Sequence, residues 1–289
     1  MKYLEYFEPK TIQDVCLLLS KFGKEASILA GGTDLVIQMR KGRLSPKHLI
    51  NIKKIKGLDV ISEEEGGFRL GVLVTIADVA THSGLQLALP IVVSSAKSIG
   101  SLQIRNVATI GGNLCNASPA ADMSPSLLVL EAEVRIAGLQ GSRSIPITDF
   151  FVGPGKVDLH TDEFLVEIII PNASKNTKMV FYKLGPRKAM DCAVVSVAVA
   201  ISLNQSTKEC EKARIALGAV SQTPVRAREA EKLIEGKVVD EIALSKIAEA
   251  VRQEIYPISD VRASAEYRYE TATNLTIRAI KSLAKSSEE

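Results

Sequence analysis

The sequence predicts an α+β protein of two domains, and three observations carry that prediction. At 289 residues the chain is about twice the roughly 150 residues of a common domain, so each part is large enough for its own core. Strand-like runs mix with helical periodicities up to about residue 170, whereas beyond it three strands precede three helices. Between the two, Pro171 to Lys178 (PNASKNTK) combines a proline, an Asn-bearing turn and a loss of periodicity. The predicted domains are 1–175 and 176–289.

Thr11 can cap a helix in which Ile12, Val15, Cys16, Leu19 and Phe22 recur at helical spacing and which stops before Gly23. Ser27 to Ala30 reads as a short buried strand running into Gly31-Gly32-Thr33-Asp34, and Leu35 to Met39 continues as a helix or a second short element. A strand over 48–52 follows Pro46. Phe68 to Leu73 reads as a strand, Thr75 can cap a helix through His82, and Ile91 to Gly100 gives a helix after Pro90. Val107 to Asn113 (VATIGGN) joins an extended segment to a second tight loop. A helix over Ser126 to Glu131 and strands at 132–137 and 163–170 complete the first domain. The second opens with antiparallel strands at Val180 to Leu184, Ala193 to Leu203 and Arg214 to Val220, the last two joined by the turn-rich NQSTKE. Helices over about 225–235, 239–255 and 262–285 follow.

Composition removes several classes of function. Hydrophobic residues are 46% and charged residues 24% of the chain, too apolar a balance for disorder. The net charge is only +3 and the cations are scattered, so no nucleic-acid footprint is expected. MKYLEYFEPK has no apolar signal core, and no apolar run reaches a membrane span, Cys192 to Leu203 being short and broken by Ser196; a cytoplasmic protein is expected. Cys16, Cys115, Cys192 and Cys210 form no CxxC, and the histidines stand alone at 48, 82 and 160, so no metal is expected in this chain. Redox chemistry would need an organic cofactor.

Ala30-Gly31-Gly32-Thr33-Asp34 and Thr109-Ile110-Gly111-Gly112-Asn113 share one logic: paired glycines let backbone amides approach an anion, and polar side chains beside them add contacts. A diphosphate suits two such loops. Neither is a P-loop, since no GK[ST] follows, and Gly153-Pro154-Gly155 begins a GxGxxG that has Asp158 in place of its third glycine.

At these residues the sequence resembles the FAD-binding medium subunits of the molybdenum hydroxylases, which include xanthine, carbon monoxide, nicotinate and quinoline dehydrogenases. The likeness covers nearly the whole chain: FEPKTIQDVCLLL, AGGTDL, GxLxTIADV at 71–79, QIRNVATIGGNLCNASPAAD, ITDFF at 147–151, EIIIP at 167–171, FYKLGPRKAMDCAVV and DVRASAEYR at 260–268. It implies a two-lobed FAD-binding domain of the p-cresol methylhydroxylase and vanillyl-alcohol oxidase type, with lobes of about 1–55 and 56–175, and a C-terminal domain with a three-stranded antiparallel sheet and three helices. FAD would lie extended between the lobes, its diphosphate gripped by Ala30, Gly31, Gly32, Thr33 and Asp34 on one side and Thr109, Ile110, Gly111, Gly112 and Asn113 on the other. The resemblance also implies Asp122 near the adenosine ribose, Leu165 packed on the cofactor and Lys183 near the isoalloxazine, with Tyr182 a candidate neighbour of the ring. A carboxylate accepts from ribose hydroxyls, and a cation beside the flavin pyrimidine edge favours the anionic reduced form.

The implied function is an electron-transfer subunit without a catalytic acid or base of its own. A large molybdopterin subunit would oxidise the substrate, a small [2Fe-2S] subunit would relay electrons, and FAD here would pass them to NAD or another acceptor, in what is expected to be a dimer of heterotrimers. Relatives with a further iron–sulfur cluster in this subunit carry a cysteine-bearing insertion that this chain lacks, and carbon monoxide members usually have His-Ser where Thr33-Asp34 stands. Two alternatives stay open: a self-contained flavin reductase on the same fold, and a flavin-free assembly scaffold.

Overall fold

The computed structural model describes residues 4–187, 190–204 and 206–285, apart from the side chains of Glu241 and Ile242. Lys188 and Ala189 of FYKLGPRKAMDCAVV, and Gln205 of the NQSTKE turn, lie outside the described residues.

The first lobe contains β1 (Glu5–Phe7), α1 (Ile12–Phe22), β2 (Ala26–Leu29), α2 (Leu35–Arg40) and β3 (His48–Asn51). Its sheet is parallel, in the order β1-β3-β2. As its sequence predicts, α1 is capped by Thr11, whose Oγ1 accepts from the Asp14 N–H at 3.1 Å, and it ends at Gly23, where φ is +49°. The ambiguous Leu35–Arg40 segment is a helix, so the chain turns at once from the first glycine loop into α2.

The second lobe begins with β4 (Ile61–Glu64) and β5 (Gly67–Gly71), then six helices: α3 (Ile76–Thr81), α4 (Ser83–Ala88), α5 (Pro90–Lys97), α6 (Leu102–Arg105), α7 (Ile110–Cys115) and α8 (Met123–Val129). After them come β6 (Glu133–Gly138), β7 (Gly141–Pro146), α9 (Ile147–Phe150), the hairpin of β8 (Phe151–Gly153) and β9 (Lys156–Val157), and β10 (Phe164–Pro171). The main sheet is antiparallel, in the order β4-β5-β10-β6-β7. The cap expected at Thr75 is present and is in fact a full capping box, with Asp78 accepting in return from the Thr75 N–H, and the helix stops at Thr81. The second glycine pair departs from expectation, because it follows helix α6 and lies inside α7. Thr109 makes one isolated bridge, to Thr75, and then caps α7 by accepting from the Gly112 N–H at 3.1 Å.

The C-terminal sheet is β11 (Thr177–Leu184), β12 (Val195–Leu203), β13 (Cys210–Gly218) and β14 (Val225–Arg226). It is antiparallel in that order and therefore has four strands where three were expected, the fourth being too short to leave a periodic signal. Helices α10 (Arg228–Ile234), α11 (Glu241–Glu254) and α12 (Ala265–Lys285) follow. Every residue of β12 is buried. Alternate side chains of this sheet join two cores: Phe181, Ala198, Ala200 and Ala216 pack with the first domain, and Val197, Val199, Ile215 and Leu217 with the second. Among the described residues no helix is long and apolar enough to cross a membrane.

Candidate functional site

A cleft runs between the two lobes, and the glycine loops form its waist. The N–H groups of Gly31, Gly32, Thr33 and Asp34 make no hydrogen bond among the described residues, so the first loop presents a row of free donors to a cavity of about 340 Å³ that all four residues line. The second loop is built differently. Its Ile110, Gly111, Gly112 and Asn113 amides are committed to Val74 O, Val72 O, Thr109 Oγ1 and Thr109 O. What it offers the cavity is side chains: the Thr109 hydroxyl, which accepts from Gly112 and keeps its proton free to donate, and Asn113, whose Oδ1 is buried without a partner. The expectation that both loops present backbone amides is corrected to one amide loop facing one side-chain loop.

The glycines divide the work in the same way. A Cβ on Gly31 would stand 2.3 Å from Val107 O, and one on Gly111 2.6 Å from Val72 Cβ, so the first member of each pair lets two backbones meet. Gly32 has φ +78°, the left-handed region that favours glycine, whereas the nearest atom to a Cβ on Gly112 is the Thr109 Oγ1 of its own cap, at 3.0 Å. The bare face of Gly112 opens on the cleft, and lines both this cavity and the next.

That next cavity, of about 380 Å³, is apolar, walled by Leu19, Ile28, Val72, Phe164 and Leu165. Cys115 lies between the two cavities, its thiol pushed up to about 12 by burial and so neutral. Glu163 stands at the apolar cavity's edge. Arg143 donates to both its oxygens, at 2.9 and 2.8 Å, and holds the carboxyl below its ordinary range. At the opposite end, where β11 meets α5, a third cavity of about 600 Å³ is lined by Ser94, Ser98, Phe181 and Lys183. Lys183 Nζ donates to Asp122 Oδ2 at 2.6 Å and to the Ser98 carbonyl at 3.0 Å. Burial pushes the Asp122 carboxyl up to about 6, and Lys183 opposes that shift.

Two placements differ from those the resemblance implied. Asp122 and Lys183 were expected toward opposite ends of an extended ligand, but their contact puts both at the Lys183 end, with Asp122 behind the lysine and Leu165 at the far end. Tyr182 faces away from the cleft. Successive strand residues point to opposite faces, so with Phe181 and Lys183 turned to the first domain, Tyr182 packs on α12, where its hydroxyl donates to Ser282 Oγ at 3.3 Å and Arg278 covers its ring.

Two residues of the cleft carry no loop motif. Gln38 Nε2 donates to Asn116 Oδ1 at 3.2 Å, and both side chains line the 340 Å³ cavity. The sequence signal they share is spacing, since Gln38 lies four residues after Asp34 and Asn116 four after Gly112, one helical turn beyond each loop, and Asn116 also falls within the run QIRNVATIGGNLCNASPAAD.

Comparison with known proteins agrees over both domains. Residues 2–173 match the family described as FAD binding domain in molybdopterin dehydrogenase, and residues 180–283 match the CO dehydrogenase flavoprotein C-terminal domain. The xanthine dehydrogenase FAD-binding subunit of Escherichia coli is 33% identical over 280 residues, covering 96% of this chain and 95% of that one. The glyceraldehyde dehydrogenase medium chain of Sulfolobus acidocaldarius is 35% identical over 256 residues, covering 89% and 90%. A chain of carbon monoxide dehydrogenase from Hydrogenophaga pseudoflava superposes with a TM-score of 0.94 at 31% identity, covering 99% of this chain and 98% of that one.

Proposed function

Because the chain belongs to the FAD-binding medium subunits of molybdenum hydroxylase-type oxidoreductases, we propose that its cleft holds FAD along its whole length and that the subunit carries electrons from an iron–sulfur partner to an acceptor. Residues 1–175, in lobes of about 1–55 and 56–175, form the cofactor domain in this reading, and 176–289 the C-terminal domain. The observation that carries it is the pairing of four unpartnered amides on Gly31–Asp34 with the orphaned Asn113 Oδ1 across one cavity. Free N–H groups suit diphosphate oxygens, and the buried Asn113 Oδ1, an acceptor, is costly to leave unpaired unless a ligand hydroxyl donates to it. The apolar cavity beside Leu165 and Glu163 suits adenine, and the Ser98–Lys183 cavity suits the flavin ring.

FAD supplies one- and two-electron transfer when bound. The chain's own residues position it. Ala30 and Gly32 bring the first loop against the diphosphate, Thr109 donates its hydroxyl proton, and Lys183, oriented by Asp122 and the Ser98 carbonyl, sets a fixed positive charge beside the ring. No residue here is assigned a proton transfer on the organic substrate, whose pocket falls on a large molybdopterin subunit in this reading. The donor is a small [2Fe-2S] subunit, the assembly a dimer of heterotrimers, and the acceptor NAD or another electron acceptor.

The full chain, purified and desalted after addition of FAD, is expected to keep a flavin absorption spectrum without iron–sulfur bands. Gly112→Leu, which fills the bare face, is expected to lose FAD while keeping the wild-type melting temperature of the apoprotein. Wild-type protein that remains colourless, alone and with its partner chains, would refute the reading.

A further inference from the structure

We infer that Gln38 and Asn116 form a latch across the cleft that retains the bound cofactor, an inference that rests on the reading of the cleft as an FAD site. Among the described residues, the Gln38–Asn116 bond is the one hydrogen bond or ion pair that joins residues 4–55 to residues 56–175. Elsewhere the lobes meet through apolar packing, in a core that includes Val15, Cys16, Leu19, Ile50 and Ile52, and through the close approach of Gly31 to Val107. A non-directional core can hold two lobes together, but a hydrogen bond fixes one separation across the gap.

The backbone places both latch residues. Gln38 sits on α2, its N–H bonded to Asp34 O at 2.9 Å, and Asn116 ends α7, its N–H bonded to Gly112 O at 3.0 Å. Each side chain therefore rises one helical turn above its own loop, on the face that looks across the cavity. The pair coexists with that cavity of about 340 Å³, since both residues line it, so the link spans the space instead of filling it.

The chemistry of the pair suits this place. Two carboxamides bind each other without net charge, so neither repels a diphosphate as a carboxylate would, and neither leaves its partner for a phosphate as a lysine would. Entry and exit of the cofactor both need the latch open, and the bond is already formed in the cofactor-free chain, so it slows passage in both directions. One hydrogen bond of ordinary net strength corresponds to about three- to tenfold in a dissociation rate.

The test measures FAD association and release rates on the full chain by flavin fluorescence, with a scavenging apoflavoprotein present during release. Gln38→Ala and Asn116→Ala should each release and take up FAD about three- to tenfold faster, with the apoprotein melting temperature unchanged, and the double variant should release no faster than either single. The exchanged pair, Gln38→Asn with Asn116→Gln, keeps the combined reach and should restore slow release. Wild-type release rates in the alanine variants, additive effects in the double variant, or faster release with association unchanged, which would make the pair a direct contact of the cofactor, would each overturn the latch alone. A wild-type chain that binds no FAD would overturn the FAD reading and the latch with it.

Discussion

Asp122 is a carboxylate held 5% exposed, with one oxygen on Lys183 and the other, Oδ1, without a partner. Its pKa of about 6 against an ordinary 3.8 means that the folded chain binds more protons than the unfolded chain between those values, so its contribution to stability is complete below about pH 4 and is lost as pH rises through 6. Asp122→Asn carries no such loss. The variant should gain on wild type by about 2–3 kcal/mol between pH 4 and pH 7, read as unfolding free energy at each pH; a wild type that gains on the variant over that range would show that the Lys183 pairing outweighs burial. Such a cost is tolerated where the charge serves a site. Asp122 and Lys183 were both visible in the sequence as candidates, but their contact was not, because 61 residues separate them. The choice between Tyr182 and Lys183 was likewise beyond the sequence, since strand parity assigns them to opposite faces without saying which face meets the first domain.

Among elements, the segment between α11 and α12 shows how a motif can be structural. In DVRASAEYR the Asp260 side chain accepts from the Arg262 and Ala263 N–H groups, and from Arg268 Nη2 at 2.7 Å. Arg268, 3% exposed, also donates to Val194 O at 2.6 Å and Ala219 O at 3.0 Å. One guanidinium thus ties α12 to the start of β12 and the end of β13. Arg268→Ala should cost about 3–5 kcal/mol by leaving two carbonyls without a donor and Asp260 without its buried cation, measured by urea unfolding; a loss under about 1 kcal/mol would mean that water replaces the clasp. Elements of this size with a strong local signal were legible: α1, α5 and α12 match their capping, proline and periodicity cues. Those missed were short or polar. β4 and β7 leave too few apolar positions to alternate, and α7 looked extended because Val107, Thr109 and Ile110 are β-branched while its fold is decided by the Thr109 cap and by Val72 pressing on Gly111.

At the scale of the whole molecule, the C-terminal sheet lies between two cores, and the Lys183 cavity exists only while they stay together. The contact is built from both kinds of force. Phe181, 8% exposed, enters the first core beside α5, while Glu131, in the left-handed region at φ +53°, meets Lys212 at 3.0 Å and Arg214 at 2.9 Å. Those ion pairs are half-exposed and add little, so coupling rests on the apolar contact. Two domains joined by a polar, water-filled interface would unfold separately. Here, scanning calorimetry of the full chain should show one transition, and Phe181→Ala, which opens a cavity worth about 3–5 kcal/mol, should lower it as a whole by about 5–8 °C. If instead two transitions appear and Phe181→Ala moves only one of them, the domains unfold independently, and the Lys183–Asp122 pair that joins them would be a contact made on docking instead of a fixed part of the fold.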